Sequence, residues 1–362
     1  APSPAVRGTR HIPAMAPGGL TSGMCQPPVH ARAVREIARE LDEGRRRTFL
    51  SDLYEPLLAW HDYLHRTRTS GSALIEIWHP WESGMDNSPV WDAALARLDP
   101  DPDDIPPYER VDTVHVGANQ RPTISEYDRY MYLVEQLRRV EYQPPTGAVL
   151  PFRVCDVLFN TLAADADHQL ASMARELGAP DADRLTERSR SLTEAIDTEM
   201  WCADLGIHVD VDRTIDEQIR LPIAGGLTPL LLPITPEHAR RVAATLLDRF
   251  AVRLRGSSAL VVPTVPVDHA TFDGDRYWRG PAWINVTWLL VRGLGAAGHH
   301  ALASDIRDGA LRLVSEGGCA EYFNPLTGAP RGASDFSWTA ALVLDLVDGA
   351  DSAGAEELNQ RR

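Results

Sequence analysis

The sequence contains no lysine, and all 36 of its basic side chains outside histidine are therefore arginine. A site for an anion must then be built from guanidinium groups, which bind carboxylates and phosphates through paired N–H donors. Four cysteines, Cys25, Cys155, Cys202 and Cys319, are scattered without metal-motif spacing, and we expect free thiols in a reducing compartment. No apolar run reaches the roughly 20 residues that span a bilayer.

The 12 histidines also lack HExxH or comparable spacing, so we expect no metal and no cofactor. A net charge of −15 over 362 residues argues against nucleic acid or an anionic membrane as a partner. We expect a cytoplasmic protein. Its oligomeric state stays open, and a homo-oligomer is one of the possibilities. The chain begins with APSP, without an initiator methionine or an apolar signal core, and we expect that it starts inside a longer protein.

Apolar residues recur at helical spacing in about ten segments that proline and glycine clusters separate. The predicted helices are 29–44, 48–68, one starting near Pro89, 123–140, 154–177, 181–201, 236–253, 281–294, 299–315 and 335–347. Strand structure is limited to a predicted hairpin within 205–222, where Ile207, Val209 and Val211 alternate with polar residues. Because no self-similar repeat of about 34–45 residues is present, an α/α toroid is favoured over a helical solenoid.

We expect a single domain over 1–350 and a polar, frayed tail over 351–362. Residues 99–118 are acidic and rich in proline, and they are predicted to form a long surface loop or lid over a site.

Residues 75–89 combine two tryptophans with acidic residues around Gly84, which is poor composition for a core. Asp86 would stand on a turn beside aromatic rings, where partial burial raises the pKa of a carboxyl group towards that of a general acid. Taken alone, however, Asp86 and Glu82 are better explained as caps of the helix near Pro89. Asn87 and Ser88 are further capping candidates.

Three other stretches carry more polar and aromatic residues than packing requires. In 120–130, Arg121 lies outside the predicted helix and could bind a carboxylate or phosphate, although the stretch also reads as an ordinary capped helix start. In 276–288, some aromatic residues belong to the core, but their grouping beside Arg276 and Arg279 is typical of a stacking surface for sugar rings. In 321–340, Glu321 precedes tight turns that could present it over a cleft.

Together these stretches resemble glycoside hydrolase family 63, and in particular its bacterial mannosylglycerate and glucosylglycerate hydrolases. The motifs that carry the resemblance are HPWESGMDNSP, RYWRGPAWINVTWLL and EYFNPLTGAPRGASDFSWTAAL. The resemblance implies an all-α fold, the (α/α)6 barrel, and an inverting mechanism with Asp86 as general acid and Glu321 as general base. These two residues are 321 − 86 = 235 positions apart, and can meet only if the helical ring brings them together. The family barrel has twelve helices, so we expect its N-terminal helices to be missing here.

The resemblance further implies that Arg121 and Tyr127 hold the carboxylate of glycerate. It places the sugar and aglycone against an aromatic pocket, with weaker hydroxyl contacts from two glutamines. The residues expected in these roles are Tyr277, Trp278, Trp283, Trp81, Gln120 and Gln26. His79 is expected to bond a backbone carbonyl, and Glu82 stays unassigned.

The expected substrate is a small anionic glycoside, glucosylglycerate or mannosylglycerate, whose α-glycosidic bond is cleaved to the sugar and glycerate. Two alternatives stay open: a trehalase-like hydrolase of neutral di- or oligosaccharides, and a catalytically dead toroid that binds sugars.

Overall fold

The computed structural model describes residues 22–69, 71–114, 116–144, 149–254 and 256–360. This part of the chain is mostly helical, with ten α-helices and nine two-residue strands. The helices are α1 His30–Arg39, α2 Glu43–Thr67, α3 Asp92–Ala96, α4 Ile124–Arg139, α5 Val157–Leu177, α6 Ala182–Glu199, α7 Pro236–Thr245, α8 Ile284–Ala296, α9 His300–Gly317 and α10 Ser337–Gln360. The strands are β1 Val154–Cys155, β2 Trp201–Cys202, β3 Ile207–His208, β4 Val211–Asp212, β5 Glu217–Gln218, β6 Val252–Arg253, β7 Leu260–Val261, β8 Tyr322–Phe323 and β9 Pro330–Arg331.

Consecutive helices pack as pairs, α1 with α2, α5 with α6 and α8 with α9. Helix α5 is the centre of the helical core, because it is buried almost all round and contacts α1, α2 and α6. Its ends are set by the sequence. The Asp156 side chain accepts the Phe159 N–H at the start, and Gly178 ends the helix with a φ of 75°, as expected of a left-handed C-terminal cap.

The helix count is confirmed, but several predicted boundaries are wrong. The first helix ends at Arg39 and the second begins at Glu43 rather than 48, because the Asp42 side chain accepts the Arg45 N–H. Near Pro89 there is only a 3₁₀ turn, Pro89–Trp91, followed by the five-residue α3. Helix α7 ends at Thr245 in a π-helical turn. Helix α10 continues to Gln360, where a frayed tail is predicted.

The strands differ from prediction as well. The hairpin predicted in 205–222 is present as β4 and β5, but β3 pairs with β2 and β4 also pairs with β1, which makes three pairings in all. Strand β1 occupies the start of the helix predicted at 154–177. None of the helices in the described ranges is long and apolar enough to cross a membrane.

Short backbone pairings hold the two stretches that carry the predicted catalytic acids. Ile77 and Val154 exchange two backbone hydrogen bonds of 2.8 and 3.0 Å, which tie the stretch before Asp86 to β1. Ala282 and Phe323 do the same, at 2.8 and 3.0 Å, and so join the aromatic stretch to the residues after Glu321. Both carboxylates therefore stand beside fixed backbone.

Candidate active site

A cavity of about 740 Å³ contains both predicted catalytic carboxylates, Asp86 and Glu321. It also gathers seven of the eight predicted binding residues: Gln26, Trp81, Arg121, Tyr127, Tyr277, Trp278 and Trp283. The rest of its lining was not predicted from the sequence, and consists of Ser22, Met24, Gly84, Val111, Asp112, Pro122, Phe336 and Trp338.

Asp86 is held by its backbone. The Tyr130 hydroxyl donates to the Asp86 carbonyl at 2.6 Å, and the Trp91 indole N–H donates to the Met85 carbonyl at 2.9 Å. Gly84 provides the bend before it, with a φ of 75° and no room for a Cβ, which would lie 2.9 Å from Pro27 Cγ. The chain is thus fixed on both sides of the acid.

Burial raises the pKa of Asp86 to about 6. Its own backbone N–H and the Arg121 charge oppose that rise, while the negative charges of Glu321 and Asp112 add to it. A carboxyl group with this pKa keeps its proton up to a pH of about 6, well above the ordinary range of an aspartic acid, as suits a general acid. Ser88, not Asp86, caps the turn at Pro89, which removes the capping explanation of Asp86.

Glu321 is buried and bonded through its side chain. Arg121 donates from Nη2 to Oε2 at 2.8 Å and from Nη1 to Oε1 at 3.4 Å, and the Ala333 N–H donates to Oε2 at 3.0 Å. Gly332 makes this contact possible, because its φ is 71° and an added Cβ would lie 2.4 Å from Oε2. The carboxylate is therefore fixed by one cation and one backbone donor.

Arg121 is the only cationic side chain among the described residues that line the cavity. Its guanidinium carbon lies 4.2 Å from the centroid of the Tyr277 ring, and its Nε is buried without a hydrogen-bond partner. The predicted anion-binding group is thus already paired with Glu321, with one donor unused. Arg276 and Arg279 pair with Glu126 instead, at 2.8 and 3.2 Å, and do not line the cavity.

Aromatic rings form one wall of the cavity. Trp278 and Trp283 stack with centroids 3.7 Å apart and an interplanar angle of 6°, and Tyr322 stacks on Trp283 at 4.9 Å. Tyr277 packs edge-on against both tryptophans. Its φ of 40° is unusual for a non-glycine residue, and such strain persists where surrounding contacts enforce it. The Trp278 indole N–H is buried without a hydrogen-bond partner.

A second group of aromatic residues in the lining consists of Trp81 and Tyr127, whose ring centroids are 5.8 Å apart. His79 supports it, since its Nε2 donates to the Tyr130 carbonyl at 3.0 Å as expected, and burial lowers its pKa to about 4. Gln26 donates to the Trp81 carbonyl at 3.1 Å.

Gln120 does not line the cavity. Its Oε1 accepts from the Tyr322 hydroxyl at 3.2 Å and from the Gly332 N–H at 3.1 Å. In this structure Gln120 therefore supports the hairpin that carries Glu321.

Glu82, unassigned from the sequence, is a buried structural anchor. Its carboxylate accepts from Arg68 at 2.8 and 2.9 Å, from the Cys25 N–H at 2.7 Å and from the Trp78 N–H at 2.7 Å. Glu82 thereby joins the segment around Cys25 to the stretch that bears Asp86. These partners are up to 57 positions away, so sequence spacing gave no signal for them.

The predicted covering loop brings a third carboxylate, Asp112, to the cavity. Arg110 pairs with Asp112, donates to the Pro122 carbonyl at 2.8 Å and lies 4.5 Å from the centroid of the Tyr127 ring. Sequence reasoning did not single out Asp112 because several similar acids surround it in the loop.

Comparison with known proteins identifies the family of the chain. Residues 6–339 match the family model described as mannosylglycerate hydrolase MGH1-like glycoside hydrolase domain. The mannosylglycerate hydrolase of Rubrobacter radiotolerans is 38% identical over 90% of this chain and 74% of its own. The glucosylglycerate hydrolase of Mycolicibacterium hassiacum is 35% identical over 95% of this chain and 79% of its own.

A crystal structure of the Thermus thermophilus family 63 mannosylglycerate hydrolase with Tris and D-glycerate superposes with a TM-score of 0.81. It is 37% identical and covers 90% of this chain and 77% of that one. The expected (α/α)6 architecture is confirmed at the level of fold, although the ten described helices do not close a barrel. The chain therefore belongs to the MGH1-like mannosylglycerate hydrolase family of glycoside hydrolases.

Proposed function

We propose that this glycoside hydrolase cleaves the α-glycosidic bond of glucosylglycerate or mannosylglycerate with inversion at the anomeric carbon. One observation carries the proposal: Asp86 and Glu321 line the same cavity in contrasting surroundings. Asp86 has its pKa raised to about 6 by burial, whereas Glu321 is paired with a guanidinium group. Inverting hydrolysis needs such a pair, one carboxyl group protonated and the other ionised.

In this mechanism Asp86 donates its proton to the glycosidic oxygen as the bond from that oxygen to the anomeric carbon breaks. The bonding electron pair leaves with the oxygen, and glycerate departs with a neutral hydroxyl. Glu321 removes a proton from a water molecule as that water bonds to the opposite face of the anomeric carbon. Proton exchange with solvent then restores both groups. Carboxyl groups roughly 6.5–9.5 Å apart leave room for the water.

For substrate binding, we assign the sugar ring to the aromatic wall of Tyr277, Trp278 and Trp283, whose faces suit the C–H surface of a pyranose. The glycerate carboxylate is assigned to Arg121, the cation of the described lining, and to Tyr127. The related Thermus enzyme was crystallised in complex with D-glycerate, which supports this class of ligand.

The test is proton NMR of the sugar that is first released from α-linked glucosylglycerate and mannosylglycerate. We expect the β anomer to appear before mutarotation equilibrates it. An initial α anomer would contradict inversion, and no release from either substrate would contradict the proposed activity. Glu187→Gln, an exposed replacement on α6, is the control variant, and we expect it to release the same anomer as the parent protein.

A second candidate is hydrolysis of a neutral disaccharide. The observation in its favour is that Arg121 is already bonded to Glu321, in a cavity with three carboxylates and one cation among its described lining residues. A neutral substrate would leave that ion pair intact. Comparing kcat/KM for glucosylglycerate and trehalose decides between them: the main proposal predicts a strong preference for glucosylglycerate.

A further inference from the structure

A second polar cluster lies away from the cavity. It contains Asp197 at the end of α6, His208 on β3 and His238 in the first turn of α7, and none of them lines the candidate active site. Asp197 Oδ1 lies 3.2 Å from His208 Nε2 and 2.7 Å from His238 Nδ1. One atom from each of the three side chains lies within 4.8 Å of the others, an arrangement found once in the described part of the chain.

We propose that Asp197, His208 and His238 bind a divalent metal ion of the zinc class. One carboxylate and two imidazoles form a ligand set that such borderline ions accept, with water at the remaining position. A smaller cavity of about 440 Å³ adjoins His238 and gives access for the ion and its water.

Two of the three distances between ligand atoms can be compared with those of a tetrahedral site. With bonds of about 2.0–2.1 Å, tetrahedral ligand atoms lie roughly 3.3 Å apart. The contact of 3.2 Å from Asp197 Oδ1 to His208 Nε2 already has that length. The contact of 2.7 Å to His238 Nδ1 is hydrogen-bonded and must lengthen by ~0.6 Å to fit the same geometry, which a partly exposed side chain can do.

The Asp197 carboxylate also favours a cation, although Arg240 and Arg241 line the cavity beside His238. The Asp197 carboxylate is buried and contacts both histidines, His208 at 3.2 Å and His238 at 2.7 Å. Among the described residues no arginine pairs with Asp197. A buried carboxylate without a cation is costly, and a metal ion would compensate it.

A related cluster in the same chain shows the contrast. Asp167 also contacts two histidines, His61 at 3.0 Å and His65 at 2.8 Å. There, however, Arg188 donates to both carboxylate oxygens, at 2.9 and 2.6 Å. The guanidinium group supplies the positive charge and would repel a metal ion, so we expect no metal at Asp167.

The contacts around the Asp197 cluster orient its ligands. The Thr235 N–H donates to Asp197 Oδ2 at 2.9 Å, and the Trp201 ring stacks on His238 at 3.8 Å. Such outer contacts fix the ligands of metal sites in proteins. Since the ligands come from α6, β3 and α7, a bound ion would cross-link these elements and stabilise the fold. Asp197, His208 and His238 are separated by 11 and 30 positions in the sequence, which is not the spacing of a known metal-binding motif.

The experiment uses the full chain freed of metal with a chelator. Zn²⁺ is titrated by calorimetry, Co²⁺ binding is followed by visible absorption, and the melting temperature is measured with and without Zn²⁺. The variants are His238→Asn and Asp197→Asn, with His65→Asn as the matched control in the arginine-paired cluster. Circular dichroism checks that each variant is folded.

We expect one Zn²⁺ per chain, a visible band for bound Co²⁺ and a higher melting temperature with metal. Either variant of the Asp197 cluster should weaken Zn²⁺ binding by at least about tenfold, whereas His65→Asn should leave it unchanged. Absence of stoichiometric Zn²⁺ binding, or equal binding by His238→Asn and His65→Asn, would overturn the proposal. A third outcome would also overturn it: His238→Asn lowers the melting temperature, but Zn²⁺ does not raise the melting temperature of the parent protein. The cluster would then be an ion pair between histidine and aspartate and not a metal site.

Discussion

The Asp86 and Glu321 sides of the cavity hold the same functional group by different means. On the Asp86 side the hydrogen bonds go to the backbone on either side of the acid, and burial raises the carboxyl pKa to about 6. On the Glu321 side a guanidinium group and a backbone N–H bond the carboxylate directly. The difference teaches how two identical groups can be given opposite proton-transfer roles by their surroundings alone.

The largest expected effect on activity comes from removing either of the two carboxylates. We expect Asp86→Asn and Glu321→Gln each to lower kcat on glucosylglycerate by about 10³-fold, within the range for general acid or base groups. Steady-state kinetics on folded protein measures this, with Glu187→Gln as the control. A loss of less than tenfold in either variant would contradict a proton-transfer role for that residue.

The next test removes the cation on the Glu321 side. Arg121→Gln leaves Glu321 buried without its ion pair, and we expect kcat to fall by about 10²-fold on anionic and neutral glycosides alike, because the base loses the cation that fixes its position. KM should rise only for glycerate glycosides. Arg276→Gln, which disturbs an ion pair outside the cavity, is the control. Unchanged kcat on a neutral glycoside would show that Arg121 serves the substrate only.

A smaller perturbation displaces Glu321 without removing any charge. Gly332→Ala places a Cβ 2.4 Å from Glu321 Oε2, and we expect kcat to fall by roughly tenfold, in line with the sensitivity of catalysis to small misplacements. Gly328→Ala is a matched control, because its φ is 74° but its added Cβ meets only Leu313, at 3.6 Å. Backbone strain should cost both variants ~1 kcal/mol of stability, and the clashes with Glu321 and Tyr322 should cost Gly332→Ala more. Only Gly332→Ala should lose activity.

The smallest expected effect is a change in pH dependence on the Asp86 side. Since Asp86 must be protonated to act, kcat/KM should fall as the pH rises through about 6, its raised pKa. Asp112→Asn removes a negative charge that raises this pKa. The alkaline limb should then move to lower pH by a fraction of a unit. Asp204→Asn, an exposed replacement, should leave the profile in place, and an upward shift with Asp112→Asn would contradict the electrostatic argument.

The sequence predicted which residues meet in the cavity better than how they are held. Asp86, Glu321 and the tryptophans lie in local motifs, so their convergence followed from the resemblance. The pairing of Arg121 with Glu321 spans 200 positions, and no local pattern reports it. The helix count was likewise predictable from hydrophobic periodicity, whereas the start of α2 depended on the Asp42 side chain, a cap inside a predicted helix.

Leaving-group dependence tests the central claim most directly, namely that Asp86 is the acid and Glu321 the base. Each amide variant is assayed on the native glycerate glycoside and on an α-glycoside whose leaving group needs no protonation, such as a glycosyl fluoride. We predict that Asp86→Asn regains most of its lost rate on the activated substrate while Glu321→Gln stays impaired on both. Equal recovery by the two variants, or recovery by Glu321→Gln alone, would contradict the assignment.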